Sequence, residues 1–241
     1  MTREGWEDIA DWYHDLVAGG SPTHQTALAA LVALVPDVAG AEVLDLACGQ
    51  GLVARALARR GARVTGVDLT QRLLEHAAGS TPPELAGRIT WLHDDAQVLA
   101  SLDEASFDGV ACNLALMDIP DLDAVLGQTS RVLRPGGWLV FTLTHPCFLA
   151  PHASWTTKDP ETASRVIHNY LDERHWRSDN PEGVRRVGAY HRTISTYLNV
   201  LIDQGFVLER VREPAADDQL AAVVPPYRRI PAFMAIRARR A

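Results

Sequence analysis

Asp45 stands where an acid is expensive. It falls in the run Val43-Leu44-Asp45-Leu46, just ahead of the small-residue stretch Ala47-Cys48-Gly49-Gln50-Gly51. A carboxylate at the end of a buried strand is costly without a partner, and the ammonium of an amino-acid ligand is one that fits. Gly49 and Gly51 let the chain turn sharply and approach a ligand closely. The segment LVARALARRG after them reads as a helix, and its start presents free N–H groups. Asp68 closes the next strand-like run, ARVTGVD, 19 residues after Gly49. An acid at that place can accept hydrogen bonds from both hydroxyls of a ribose. Residues 43–68 therefore read as a strand–Gly loop–helix–strand unit for the adenosyl end of a nucleotide-like cofactor. Gly49-Gln50-Gly51-Leu52-Val53-Ala54 also satisfies the dinucleotide pattern G-x-G-x-x-G/A. This window alone leaves a nicotinamide cofactor and S-adenosylmethionine both open.

A second set of residues could move protons. His145 follows the strand-like run WLVFTLT, and Tyr190 and His191 lie in GAYHRT. Imidazole titrates near neutrality, which suits a general base. His145 is the first candidate, with His191 and Tyr190 next.

The elements that must position these residues follow from periodicity. WEDIADWYHDLV and TALAALVALV have helical spacing. EVLDL, ARVTGVD, RITWLHDD, FDGVACN and WLVFTLTH read as five strands. Helices are expected between them at 52–60, about 71–78 and over LDAVLGQTSRVL, with RPGG as a turn. Strands alternating with helices imply βαβ units and a mainly parallel sheet with both faces covered. Ligands of such sheets bind at the carboxyl ends of the strands. Asp45–Cys48, Asp68, Asp94–Asp95, Asn113 and His145 should then face one crevice. Asn113 to Met117 and His145 would face the reacting group and its acceptor. After ISTYLNVLIDQG, a helix, come FVLERVREP and IPAFMAIRARR as a closing strand pair.

The stretch 146–190 breaks the rhythm. It is polar, and five of the nine histidines lie between His145 and His191. Long connections of this kind are usually functional or disordered. Trp155, Trp176 and Tyr170 suggest a cap over an acceptor pocket, with helix–turn content enough to fold against the sheet. Arg174, Arg185, Arg186 and Arg192 suit an acidic acceptor or simple solvation, and solvation is the expected role.

These segments together carry a resemblance. VLDLACGQG, GVDLT, HDDAQVL, FDGVACNLALMDIPD and RVLRPGGWLVFT occur in the order seen in class I S-adenosylmethionine-dependent methyltransferases of the small-molecule group. The likeness covers roughly residues 40–146. Ala47 departs mildly from the glycine usual there. Asn113 is not followed by the Pro-Pro-aromatic signature of enzymes that modify nucleic-acid amino groups. The resemblance implies an α/β, doubly wound, Rossmann-like sheet of seven strands in the order 3-2-1-4-5-7-6, the last strand antiparallel, with helices on both faces. It implies S-adenosylmethionine as cofactor, leaving as S-adenosylhomocysteine. The cofactor would be held by Tyr13, Asp45, Ala47, Cys48, Gly49, Gly51, Asp68, Leu69, Asp95, Ala96, Asn113 and Leu114. Asp95 would lie near the adenine amino group, and Tyr13, in WEDIADWYH, would belong to a lid helix. Met117, His145, Trp155 and Trp176 would meet the acceptor.

Bulk properties bound the rest. The chain has 241 residues, 47% hydrophobic and 22% charged, which suits one well-buried domain. It divides into a helical lid (1–38), a cofactor core (40–146), a cap insertion (147–192) and a closing helix with strands (193–241). The formal net charge is −7, which disfavours nucleic acid as a partner. Cys48, Cys112 and Cys147 show no C-x-x-C spacing, so neither a disulfide framework nor a metal site is expected. No apolar run approaches the roughly 20 residues of a membrane span, and the charged N-terminus does not read as a secretory signal. The expectation is a cytoplasmic monomer or homodimer. Its reaction would be methyl transfer to an oxygen, nitrogen or carbon of a small organic acceptor, such as a specialised metabolite. The alternatives are an NAD(P)-dependent oxidoreductase, a tRNA or protein methyltransferase, and a non-catalytic cofactor-binding regulator.

Overall fold

The computed structural model describes residues 3–157, 159 and 161–241. Strands β1 (Glu42–Leu46), β2 (Arg63–Asp68), β3 (Ile89–His93), β4 (Phe107–Asn113), β5 (Leu133–Thr144), β6 (Phe206–Arg212) and β7 (Phe233–Arg240) form a single sheet. Their order is 3-2-1-4-5-7-6. The pairs β1–β2, β2–β3, β1–β4 and β4–β5 are parallel, and β7 runs antiparallel to both β5 and β6. The segment Arg134-Pro135-Gly136-Gly137, expected as a turn, is carried inside β5 instead. Opposite it the β4–β5 register shifts between Phe107 and Gly109. Trp138 lies so close over Gly109 that a Cβ there would sit 1.9 Å from its ring. A side chain at position 109 would displace the indole.

The α-helices among the described residues are α1 (Arg3–Ala18), α2 (Pro22–Val32), α3 (Leu52–Arg59), α4 (Gln71–Gly79), α5 (Pro83–Ala86), α6 (Leu122–Val132), α7 (Ile194–Asp203) and α8 (Asp218–Val223). One face of the sheet buries Leu31 of α2 and Val53, Ala54 and Leu57 of α3 against Val43, Val64 and Val140. The other buries Val125 and Leu126 of α6 and Leu201 of α7 against Leu44, Leu46, Phe141 and Ile236. Strands buried on both faces must be apolar throughout, which is why β1 reads as a nearly continuous hydrophobic run. Within it only Asp45 is acidic and fully buried.

Helix α1 docks on α4. Glu7 accepts from the backbone N–H groups of Gln71 (2.9 Å) and Arg72 (3.3 Å). It thus places a carboxylate at the positive end of α4. Asp11 pairs with Arg72 and His76, and Trp6, Ile9 and Ala10 bury against Leu73 and Val187.

Residues 147–192 depart from the helix–turn expectation. Their described part forms two antiparallel ribbons, Ser154–Trp155 with Arg165–Val166 and Arg174–Trp176 with Ala189–His191, plus a 3-10 turn over Val184–Val187. Asn169 takes φ 50° and its carbonyl accepts from Asp172 N–H, which turns the chain between the ribbons. Sequence periodicity also passed over α8. Asp217 caps it by accepting from Leu220 N–H at 2.8 Å, and Leu220 and Ala221 pack on Ala27 and Phe233.

Candidate functional site

The loop from β1 to α3 is built on left-handed backbone. Ala47, Gly49 and Gly51 take φ of 52°, 54° and 83°. Arg55 of α3 reaches back and holds the loop by Gln50, through its carbonyl (2.6 Å) and side-chain oxygen (2.9 Å). Asp45 is 1% exposed and accepts from Ala54 N–H of α3 at 2.8 Å. Burial pushes its carboxyl up from 3.8 to about 7, against the lowering effect of that hydrogen bond. Asp68 accepts from Gly49 N–H at 2.7 Å and from Thr70 N–H at 2.9 Å. Burial raises its pKa as well. Asp68 therefore shapes the glycine loop while facing the same cleft.

Of the twelve residues expected to hold the cofactor, the structure brings all but Gly51 to one connected depression. Ala47, Gly49, Asp68, Leu69, Asp95, Ala96, Asn113 and Leu114 line its main cleft. Asp45 and Cys48 line a narrower arm beside it, and Tyr13 faces both. Gly51 is absent from these walls. A Cβ there would lie 2.3 Å from the Trp91 ring, so close packing together with positive φ requires the glycine. At the end of β3 the two acids divide their work. Asp94 accepts from the N–H groups of Asp95 (2.8 Å) and Ser101 (2.9 Å) and staples the loop. Asp95 bonds Gln97 and lines the cleft. Asn113 accepts from Thr142 Oγ1 at 2.6 Å, and Leu114 follows it with φ 55°.

Tyr13 stands at the junction with a larger cavity of about 600 Å³ under residues 147–192. Its hydroxyl lies 3.1 Å from His24 Nε2, and His24 Nδ1 lies 2.9 Å from Ser21 Oγ. Burial pushes His24 down to about 4, so it is neutral at physiological pH. Trp6 meets Tyr13 edge-on at 5.2 Å and lines both spaces, and its buried Nε1 has no partner among the described residues.

Met117, Trp176, Tyr190 and His191 line the cavity. His191 Nε2 donates to the Tyr170 carbonyl at 2.8 Å. His145 and Trp155 are placed elsewhere. His145 is 1% exposed, with Nε2 2.8 Å from Glu213 and Nδ1 accepting from Phe148 N–H at 3.3 Å. Both ring nitrogens are engaged: Nε2 ties the end of β5 to the segment after β6, and Nδ1 holds the turn that follows β5. Trp155 lies against Tyr227 and beneath Arg165. Sequence reasoning passed over Trp6, His24 and Asp118. Asp118 is buried, pairs with Arg185 and faces both cleft and cavity. An acid inside the apolar run Ala115-Leu116-Met117-Asp118-Ile119 was its signal. Solvation also describes little of the arginine set. Arg192 is buried with its guanidinium on the carbonyls of Leu116, Ile119 and Pro120. Arg186 lies over Trp12, and only Arg174, paired with Asp172, is largely exposed.

Comparison with known proteins agrees with this geometry. Residues 44–141 match the family described as a methyltransferase domain. The chain is 30% identical to an S-adenosylmethionine-dependent methyltransferase of Mesorhizobium loti, whose crystal structure superposes with a TM-score of 0.75 over 89% of this chain and 98% of that one. It is 30% identical over 200 residues to an uncharacterized protein of Haemophilus influenzae, covering 78% of this chain and 76% of the relative. A ubiquinone biosynthesis O-methyltransferase of Paracidovorax citrulli is 34% identical over 144 residues, 57% of this chain and 58% of that one, so this chain spans a little over half of its length. With the strand order, the acids at the strand ends and these likenesses in hand, the chain belongs to the class I S-adenosylmethionine-dependent methyltransferases.

Proposed function

We propose that this enzyme methylates a small organic acceptor held in the cavity beneath residues 147–192, at an oxygen, nitrogen or carbon atom. The observation that carries the reading is the shared wall. Tyr13, Leu114 and Asp118 border both the cofactor cleft and a cavity of about 600 Å³, within the usual range for small-molecule sites. Relatives named as O-methyltransferases favour oxygen as the accepting atom.

The residues fit the cofactor on their own terms. Asp45 is a buried acid with a single backbone donor, suited to an ammonium. Asp68 keeps lone pairs for a ribose diol. Trp6 offers a buried N–H without an acceptor among the described residues. S-adenosylmethionine, when bound, supplies a methyl group already activated on a positively charged sulfur. What remains for the protein is orientation and exclusion of water. Tyr13, hydrogen-bonded to a neutral His24, would close one side. An acceptor arriving with a proton would meet Tyr190 and His191.

Calorimetry with S-adenosylhomocysteine and NAD side by side tests the cofactor, and binding of NAD alone would sink the reading. Asp68→Ala should weaken S-adenosylhomocysteine by about 1–3 kcal/mol, the cost of lost charge-assisted hydrogen bonds. Unchanged affinity would reject the ribose role. Trp6→Phe keeps a ring and removes the N–H. It should lower the same affinity by roughly three- to tenfold, whereas an unchanged value would assign Trp6 to packing alone.

A further inference from the structure

We infer that the acceptor carries one carboxylate, seated on the guanidinium of Arg165. The inference deepens the proposed function and rests on reading the cavity as the acceptor site.

Four arginines line that cavity: Arg165, Arg177, Arg185 and Arg192. Two are already engaged. Arg185 pairs with buried Asp118, and Arg192 donates to three backbone carbonyls. Arg165 is different. Its Nε donates to the Phe148 carbonyl at 2.7 Å, and its guanidinium carbon lies 4.8 Å from the centre of the Trp155 ring. These contacts fix the plane of the group. Among the described residues no hydrogen bond engages Nη1 or Nη2, and no carboxylate lies within ion-pairing distance. The side chain is partly buried, and burial lowers its pKa. A partly desolvated cation, held rigid with two donors free in one plane, lacks a counterion. A planar carboxylate matches that fork with two parallel hydrogen bonds.

The walls offer one seat for one anionic group. Arg185 pairs with Asp118, and Arg192, still charged, has its guanidinium committed to backbone carbonyls. Beside exposed Arg177 and exposed Asp179, Arg165 is then the partly buried arginine whose fork is open among the described residues, and one open fork matches one carboxylate. Trp176 and Tyr190 add aromatic rings to the same walls, which suit a planar or aromatic body. An aromatic acid with its nucleophilic atom distant from the carboxylate would satisfy Arg165 and reach toward Tyr13 together.

The test pairs acids with their neutral amides. Benzoate, 4-hydroxybenzoate and indole-3-acetate are titrated against the matching amides, with and without S-adenosylhomocysteine, into the full chain. At least one acid should bind about tenfold or more tightly than its amide. That preference should collapse in Arg165→Met, which keeps a side chain of similar length over Trp155, while S-adenosylhomocysteine affinity stays unchanged. Arg165→Lys, which retains charge but not the fork, should give an intermediate preference. Equal affinities for acids and amides, binding by none of the acids, or a preference that survives in Arg165→Met would each overturn the inference. Tighter binding of phenyl phosphate than of benzoate would overturn the carboxylate assignment. Failure of S-adenosylhomocysteine to bind the unaltered protein would strike the proposed function instead, since the acid–amide difference without cofactor reads the subsite separately.

Discussion

Asp45→Asn is expected to stabilise the ligand-free protein by about 1–3 kcal/mol at pH 8 and to weaken S-adenosylhomocysteine by at least about tenfold there. Asp45 is fully buried, and its carboxyl is pushed up from 3.8 to about 7. Between those values the folded chain holds a proton that the unfolded chain has released. The folded state binds more protons, so stability falls as pH rises from about 4 to about 7 and stays lowered above it. Asparagine is neutral at every pH and can still accept from Ala54 N–H, so the variant lacks this slope. Binding runs the other way. A ligand ammonium needs the ionised carboxylate, so affinity in the unaltered protein should drop by up to about tenfold per pH unit below 7, and should be flat in the variant. Thermal denaturation and calorimetry between pH 5.5 and 8.5 read both effects. Parallel stability profiles for the two proteins would refute the buried-acid account, and a pH-independent affinity in the unaltered protein would refute the ammonium pairing.

Gly51→Ala should cost about 2–4 kcal/mol of folding stability. Part of this is backbone, because φ is 83° and a Cβ is disfavoured there by roughly 1 kcal/mol. The larger part is collision. The new carbon would meet Trp91 Cη2 at 2.3 Å and Arg55 Nη1 at 3.0 Å. Relief requires moving the indole or the start of α3, and the latter carries the Ala54 N–H that Asp45 uses. Trp91→Leu in the same chain should recover the steric share and leave the backbone share. Urea denaturation of the single and double variants measures both. A cost below about 0.5 kcal/mol, or no recovery in the double variant, would show that Trp91 is not what excludes a side chain at position 51.

Gly51 also shows where local reading stops. Its spacing from Asp45 and Gly49 is a sequence fact, and a ligand role was the natural inference. The ring that actually demands the glycine comes from β3, brought beside it only when the sheet forms. His145 is similar. Position at the end of a strand suggested chemistry, yet Glu213, 68 residues away, occupies its Nε2.

What the sequence by itself determined were the strands and helices, their alternation, and the acids at the ends of β1, β2 and β3. These follow from short-range causes: apolar runs, helical periodicity, and small residues at sharp turns. The pattern of five ordered segments also carried the family, and with it the sheet order. Tertiary structure alone decided which side chains are free to act. Arg185 is neutralised by Asp118, Arg192 is held by the carbonyls near 116–120, and Arg165 is left with an open fork. The partners of these arginines lie 17 to 76 residues away along the chain. No local spacing encodes such pairings, because they arise from which loops the closed sheet brings to one end. The cavity under residues 147–192 is therefore a property of packing, whereas the glycine loop was already written in the residues around Asp45.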